Sequence, residues 1–284
     1  PTAVLNAKLV IVYEGATVEN EIYNGSARAE VGPGPEAIVA GFIIDGSEEK
    51  CVVLRGRGPS INLNIARLED PVLTLKSSSG AVVVANDDWQ DSPDADKISN
   101  LGLAPSDPLE SAIYACLQPG AYSTLLRGSL GTQLGIGMFE VFDVDQSASK
   151  LVNISARAKV GAGARRVVGG FAIQGEVPRT VLIRGRGPSM NIAVPTIEDP
   201  FVTLTQGGNV IGFNDDWGDA ANAAEISATG LAPSDPSESA ILMTLNPGAY
   251  TLQLETVTGD PALGIMEVID LTDGEAKSLE LTID

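Results

Sequence analysis

The chain contains no histidine, few aromatic residues and about half as many basic as acidic side chains. Without histidine it lacks the commonest general base and the usual zinc ligand, so the Ser-His and Cys-His pairs of many hydrolases are excluded. The net charge of −19 repels phosphate backbones and anionic lipids, which disfavours binding to nucleic acid. The apolar runs are strand-sized, and none approaches the roughly 20 residues of a membrane-spanning helix. These absences predict a protein that is not an enzyme, does not bind nucleic acid and has no membrane span.

The rest of the composition favours short strands joined by tight turns. Hydrophobic residues make up 44% of the 284 residues, and glycine (31) and proline (17) are frequent. Apolar and polar residues alternate in short runs such as residues 72–75 and 121–126, which is the period of a strand with one buried face. Turn residues separate these runs at the spacing typical of a sandwich or jelly roll. We therefore predict an all-β protein built of antiparallel, jelly-roll-like β-sandwiches.

The sequence consists mainly of two tandem copies of one module. Residues 54–60 recur with small changes as residues 183–189, and residues 102–108 recur unchanged as residues 230–236. The period is far longer than a solenoid unit and is that of a whole domain. We predict four segments: an N-terminal strand segment (1–20), two β-sandwich copies (21–146 and 147–272) and a C-terminal strand or tail (273–284). Because the junction between the copies is short and polar, we expect two domains that lie nearly end to end.

Both cysteines lie in copy one, and copy two has threonine at the equivalent positions. Cys51 aligns with Thr180, and Cys116 aligns with Thr244. A paired exchange indicates two residues that face each other on neighbouring strands, as a disulfide in one copy and a Thr–Thr pair in the other. Two independent buried thiols are the alternative. We favour the disulfide, which indicates an oxidising, extracellular compartment.

A set of short motifs repeats in both copies at nearly constant spacing. In copy one these motifs are Asp70-Pro71, Leu73-Thr74-Leu75, Asn86-Asp87-Asp88-Trp89 and Pro119-Gly120-Ala121-Tyr122. This set resembles the bacterial pre-peptidase C-terminal domain. The fuller pattern, with the block at residues 54–60, is similar to a tandem repeat of proteins secreted by Verrucomicrobia and related bacteria. The resemblance covers almost all of both copies and implies an exported β-sandwich, without one activity common to the family.

Two equivalent acidic loops are the best candidates for a binding site. Oxygen atoms clustered in a loop suit calcium, which takes about six to eight oxygen ligands in irregular geometry. The resemblance also implies calcium, because some relatives of this family bind it. The alternative is that these Asn and Asp side chains close turns or cap a short helix. The candidate calcium ligands are Asn86, Asp87, Asp88 and Asp91 in copy one and Asn214, Asp215, Asp216 and Asp219 in copy two.

Two arginine pairs stand out in a chain with few cations. Residues two apart on a strand point to the same face, so each pair can hold a carboxylate with both side chains. A repeated Glu-Asp dipeptide offers such a partner, and we favour an internal ion pair over an anion-binding site. The predicted structural ion pairs join Arg55 and Arg57 to Glu69 and Asp70, and Arg184 and Arg186 to Glu198 and Asp199.

The segments outside the two copies are strand-like. Residues 3–13 are mostly apolar, and residues 277–284 alternate like the first strand of a further module. An isolated strand leaves its backbone groups unpaired, so it must add to the edge of a sheet. The predicted assembly residues are Val4, Leu5, Leu9, Ile11, Leu279, Leu281 and Ile283.

These observations predict an extracellular structural protein. We expect a subunit of a cell-surface filament or matrix that joins a second copy of itself head to tail by β-strand addition. If each terminal strand instead pairs with its own domain, the protein is a monomer. A further alternative is a calcium-stabilised adhesive module of a larger secreted protein, with a polysaccharide or a matrix protein as its ligand.

Overall fold

The protein is an all-β sandwich of antiparallel strands, as predicted. A computed structural model describes residues 20–257 and 261–272, and these residues form sixteen strands and two six-residue helices. Neither of the helices in these ranges is long and apolar enough to cross a membrane. The predicted assembly residues all lie outside the described residues: Val4, Leu5, Leu9, Ile11, Leu279, Leu281 and Ile283.

The two copies contribute equivalent elements in the same order. The strands of copy one are β1 (Glu21–Val31), β2 (Ile38–Asp45), β3 (Lys50–Arg57), β4 (Pro71–Ser77), β5 (Val82–Asn86), β6 (Ser111–Leu117), β7 (Gly120–Gly128) and β8 (Gly135–Asp143). Those of copy two are β9 (Lys150–Val160), β10 (Val167–Gln174), β11 (Arg179–Arg186), β12 (Pro200–Gln206), β13 (Asn209–Asn214), β14 (Ser239–Leu245), β15 (Gly248–Thr256) and β16 (Ala262–Asp270). Short helices α1 (Ala95–Asn100) and α2 (Ala223–Ala228) follow β5 and β13.

The strands form two eight-stranded layers, which we call sheet I and sheet II. The order in sheet I is β6-β3-β8-β1-β10-β15-β12-β13. The order in sheet II is β14-β11-β16-β9-β2-β7-β4-β5. Among the described strands, the two sheets connect at the pair Glu30 of β1 and Lys159 of β9. Each sheet therefore takes four neighbouring strands from each copy.

The first strand of each copy joins the two copies together. β1 pairs with β8 of its own copy and with β10 of copy two, and β9 pairs with β16 of its own copy and with β2 of copy one. The expectation of two domains nearly end to end is therefore wrong, although the boundary at residues 146–147 does fall between strands. The reason is that a central strand needs a hydrogen-bonded neighbour on both sides, and here the second neighbour comes from the other copy.

One hydrophobic core runs through both copies. It includes buried residues of every layer, and the stacked rings of Phe42 and Tyr122 in copy one correspond to those of Phe171 and Tyr250 in copy two. At the centre, where β1 lies against β9, Gly25 makes the close approach possible. A Cβ at Gly25 would lie 2.5 Å from Cδ1 of Ile154, well inside van der Waals contact. The shared core makes the copies two halves of one sandwich.

Candidate functional site

The disulfide between Cys51 and Cys116 is confirmed. The two residues lie opposite each other on β3 and β6. At the equivalent position of β11 and β14, Thr180 lies opposite Thr244, and their hydroxyl oxygens are 2.8 Å apart. The comparison of the copies therefore predicted both the covalent pair and the hydrogen-bonded pair that replaces it.

The arginine pairs form ion pairs, but with carboxylates other than the predicted ones. Nη2 of Arg55 lies 2.8 Å from Oε2 of Glu140, and Arg184 and Arg186 each lie 2.8 Å from Oε2 of Glu267. In the register of the sheets, Arg55 is directly opposite Glu140 and Arg184 is directly opposite Glu267. The prediction was wrong because these pairs are cross-strand neighbours, whereas the acidic residues chosen as partners precede β4 and β12. Those four residues are Glu69, Asp70, Glu198 and Asp199.

A buried glutamate in each copy was missed by the sequence analysis. Glu110 and Glu238 are both fully buried. Oε1 of Glu110 accepts hydrogen bonds from the backbone N–H of Gly58 and Ser60, and Glu238 does the same in copy two. Arg57 completes the arrangement, with Nε 3.8 Å from Glu110 and hydrogen-bonded to the Ser60 hydroxyl. The repeated Gly-Pro-Ser block is thus a loop held by a buried carboxylate, and the recurrence of Glu-Ser-Ala-Ile was the signal that pointed to it.

The asparagines of the acidic loops close turns. Nδ2 of Asn86 donates to the carbonyl of Asp88, and Oδ1 accepts from the backbone N–H of Ala112 on β6. Asn214 makes the same two contacts in copy two. Because both ends of each amide are occupied by backbone groups, these side chains fasten the loop to the neighbouring strand. This supports the turn alternative for the two asparagines.

The aspartates of these loops lie beside other carboxylates. Burial, together with the nearby charges of Asp70 and Asp88, raises the pKa of Asp87 above its usual value. In copy two, burial and the nearby charges of Asp199 and Asp216 raise the pKa of Asp215. Within residues 20–257 and 261–272, only one group of three His, Cys, Asp or Glu side chains lies close enough together to hold a metal ion. It consists of Glu49 and the two disulfide-bonded cysteines. Calcium binding at the predicted ligands therefore stays a prediction.

Each end of the sandwich carries an exposed apolar edge strand. β5 is the last strand of sheet II and β13 is the last strand of sheet I, so in the described structure each pairs along one side only. Val82 on β5 is 60% exposed, and Val210 and Phe213 on β13 are 64% and 60% exposed. Neither strand contains a charged residue or a proline, which are the usual protections of a free edge.

At the copy-two end, a groove of about 540 Å³ lies between β13, β14 and the loop before α2. Gly212, Ile241 and Met243 contribute apolar surface, and Asp215, Asp216 and Asp219 line the acidic part. We call this the β13–β14 groove. Its mixture of apolar surface and a few charged groups is typical of a binding site.

The copy-one end has the same elements but different side chains. Val84, which packs against the core, stands where copy two has Gly212. Lys97 of α1 lies 4.7 Å from the ring centre of Tyr114 on β6, whereas copy two has Glu225 and Leu242 at these positions. At these positions copy one thus has a larger side chain in place of Gly212 and a cation where copy two has an anion.

Comparisons with known proteins give no family. No family model and no curated protein matches the chain. Among solved structures, it has low similarity to the atomic structure of Sulfolobus Turreted Icosahedral Virus (9% identity, 90% of this chain and 90% of that chain, TM-score 0.23). It has similar likeness to a DUF4785 family protein of Legionella pneumophila (8% identity, 90% and 82%, TM-score 0.22) and to the CUB1-EGF-CUB2 domain of human MASP-1/3 (9% identity, 86% and 99%, TM-score 0.19). At these TM-scores the similarities carry no argument, and the resemblance to the pre-peptidase C-terminal domain stays a prediction.

Proposed function

We propose that the protein is an extracellular structural subunit that joins copies of itself head to tail by β-strand addition. The observation that carries this proposal is the pair of unprotected edge strands, β5 and β13, at opposite ends of the sandwich. An exposed, uncharged edge presents unpaired N–H and C=O groups, and it is a template for pairing with another strand.

The chain also contains strand-like segments that can supply the added strand. Residues 3–13 and 277–284 have the composition of strands, although both lie outside the described residues. Edge-to-edge pairing between copies is already part of this fold, since β1 pairs with β10 and β9 pairs with β2. A contact between one edge and one terminal segment is heterologous, and a heterologous contact that does not close produces a filament.

An extracellular location is consistent with the disulfide. Disulfides form and persist in oxidising compartments and are rare in the cytosol. Cys51 and Cys116 are joined in copy one, and the high acidic charge of the whole chain favours solubility outside the cell. The proposal therefore places the polymer at the cell surface or in an extracellular matrix.

Removal of a terminal segment tests the proposal. Multi-angle light scattering and negative-stain electron microscopy are applied to the intact chain and to versions that lack residues 1–14 or residues 273–284. We expect polymers of the intact chain, and we expect one of the deletions to give monomers with unchanged circular dichroism. If the intact chain stays monomeric at the highest soluble concentration, the proposed function is wrong.

A calcium-stabilised adhesive or carbohydrate-binding module is the second candidate. The observation in its favour is the close approach of carboxylates in each acidic loop, which together with burial raises the pKa of Asp87 and Asp215. A bound divalent cation would relieve this repulsion and would stabilise the folded state by mass action. A melting temperature that rises with millimolar calcium and falls again with EDTA supports this candidate, and a melting temperature unaffected by both counts against it.

A further inference from the structure

We propose that the β13–β14 groove is the acceptor of this assembly, and that it binds residues 3–13 of a second copy of the chain. This inference rests on the proposed function and makes it more specific. It names one of the two ends as the acceptor, and one of the two terminal segments as the donor. Four properties of the described residues support it: a free backbone edge, an apolar floor, an acidic rim and the contrast with the copy-one end.

The backbone edge is provided by β13. Its residues pair with β12 from Val202–Asn214 to Gln206–Asn209, and in the described structure the other side of the strand has no partner strand. A segment added along that side continues sheet I by one strand. Because successive side chains of a strand point to opposite faces, every second side chain of the added segment would enter the groove between the two sheets.

The floor of the groove suits apolar side chains. Gly212 leaves space beside the buried Ile241 of the facing strand, since a Cβ at Gly212 would make only ordinary van der Waals contact, 3.4 Å from Cδ1 of Ile241. Met243, a side chain that adapts its shape to a partner, also lines the space. Phe213, which is 60% exposed, lies against Phe201 on the other face of β13 and extends the apolar surface of the edge. Burial of apolar side chains here would remove this surface from water and drive association.

The charge of the rim selects between the two terminal segments. Asp215, Asp216 and Asp219 line the groove, and Glu225 is on the adjacent helix α2. Residues 3–13 contain one lysine and no acidic residue, whereas residues 277–284 contain one lysine, Lys277, and two acidic residues, Glu280 and Asp284. Complementary charge favours the segment with Lys8, and like charge disfavours the C-terminal segment.

The copy-one end has an equivalent free edge and acidic loop, and it differs in the side chains at two positions. Val84 covers the position that Gly212 leaves open, and Lys97 stands at the position of Glu225. Lys97 is paired with Asp94 at 2.8 Å, so the filled position at Val84 is the main difference between the two ends. With one acceptor end and one donor segment in each chain, the contact is heterologous and extends the assembly in one direction.

Cysteine cross-linking between singly substituted full-length chains tests this inference. The native cysteines are bonded to each other, so introduced thiols are the free ones in the described structure. A chain with Leu9→Cys is mixed with a chain with Phe213→Cys under mild oxidation, and the mixture is analysed by non-reducing electrophoresis. Val10→Cys is used in parallel, because a shift of one residue turns a side chain to the other face. The matched control for the acceptor is Ala85→Cys, at the equivalent position of β5.

We expect cross-linked dimers with Phe213→Cys from at least one of the two donor positions, and at most traces with Ala85→Cys. If polymers form but Ala85→Cys cross-links as well as or better than Phe213→Cys, or neither cross-links, this inference is overturned while the proposed function survives. If a chain that carries both Leu9→Cys and Phe213→Cys forms only an internal disulfide, the segment binds its own groove, and this inference fails. A monomeric intact chain in light scattering overturns both proposals.

Filling the groove provides a second, independent test. Gly212→Val reproduces the residue of copy one, and valine suits a strand, so we expect the fold to be kept, as checked by thermal melting. The rate of cross-linking to Phe213→Cys should then fall about tenfold or more. Asp219→Asn should slow cross-linking by a smaller factor, and its copy-one counterpart Asp91→Asn should leave it unchanged. Unchanged cross-linking in Gly212→Val would mean that no side chain enters the groove, and it would overturn the inference.

Discussion

The two ends of the sandwich have the same strands and turns but different side chains. In copy one, Cys51 and Cys116 form a covalent link between β3 and β6, and Val84 packs against the core. In copy two, Thr180 and Thr244 form a hydrogen bond at the same place, and Gly212 leaves a groove. The two copies have the same backbone elements. The copy-one end has the additional stabilising contacts, and the copy-two end has the open groove. The difference shows that two copies of one backbone can differ in their covalent links and in their open surface.

The largest expected effect comes from making copy one resemble copy two at the disulfide. The double variant Cys51→Thr, Cys116→Thr replaces the bond by the threonine pair found in copy two. The bond closes a loop with a sequence separation of 65, for which the chain-entropy relation gives about 4 kcal/mol. We expect calorimetry to show a melting temperature lowered by roughly 10 °C. The reverse variant, Thr180→Cys with Thr244→Cys, should raise it, and a loss of less than about 1 kcal/mol would contradict the entropic account.

A smaller effect is expected at the carboxylates that hold the arginines. Glu267 is fully buried and contacts both Arg184 and Arg186, so Glu267→Gln removes a carboxylate that two largely buried cations share. Because the variant removes the carboxylate that both arginines contact, we expect it to lower the free energy of unfolding by about 2 to 3 kcal/mol, as measured in urea. Glu140→Gln in copy one should cost less, because Arg55 is more exposed to water and Arg57 retains Glu110. Equal losses in the two copies would show that burial does not set the cost.

The smallest effect is expected at the acidic loops, and it depends on pH. The pKa of Asp215 is raised in the folded protein, so its contribution to stability is present below the unfolded pKa of about 4 and is lost as the pH rises through the raised value. Asp215→Asn cannot lose a proton, so it should match the native protein near pH 3 and be more stable at pH 7. Because the site is partly exposed, we expect a gain within about 1 kcal/mol.

Copy one provides the matched comparison for this variant. Arg127 lowers the pKa of Asp87 and so offsets part of the repulsion from Asp70, whereas copy two has Glu255 at the position of Arg127. Asp87→Asn should therefore stabilise the protein less than Asp215→Asn in denaturation experiments at pH 7. A stability difference between variant and native protein that is the same at pH 3 and pH 7 would contradict the assignment to a titrating carboxylate.

Local features of the fold could be predicted from the sequence because two copies of one pattern could be compared. The all-β class follows from the short alternating runs, and the pairing of Cys51 with Cys116 follows from their joint exchange for Thr180 and Thr244. The arginine partners could not be found in this way. Glu140 and Glu267 belong to the last strands of their copies, and the cross-strand register that sets them opposite Arg55 and Arg184 is a tertiary property.

The pairing of β1 with β10, and of β9 with β2, could not be predicted either. Both strands begin their copies and have similar alternating patterns, so each has the apolar face needed to lie beside β2 or β10. Local preference does not decide between these neighbours. The choice depends on the close contact at Gly25 and Ile154, between residues far apart in sequence. The β13–β14 groove was missed for a related reason, since the substitution of Val84 by Gly212 is informative only once β14 is known to lie behind it.

The pairing of β1 and β9 with strands of the other copy also affects how the chain folds during synthesis. β1 remains without one neighbour until residues 167–174 of β10 have emerged, because Arg28 pairs with Val168. The four strands that copy one gives to sheet I therefore keep an open edge at β1 until the ribosome has made part of copy two. Strand pairs that are so far apart in sequence are slow to form. Until they form, the unpaired strand edges can pair with strands of other molecules. The two halves should consequently fold and unfold as a single cooperative unit, with one calorimetric transition instead of two.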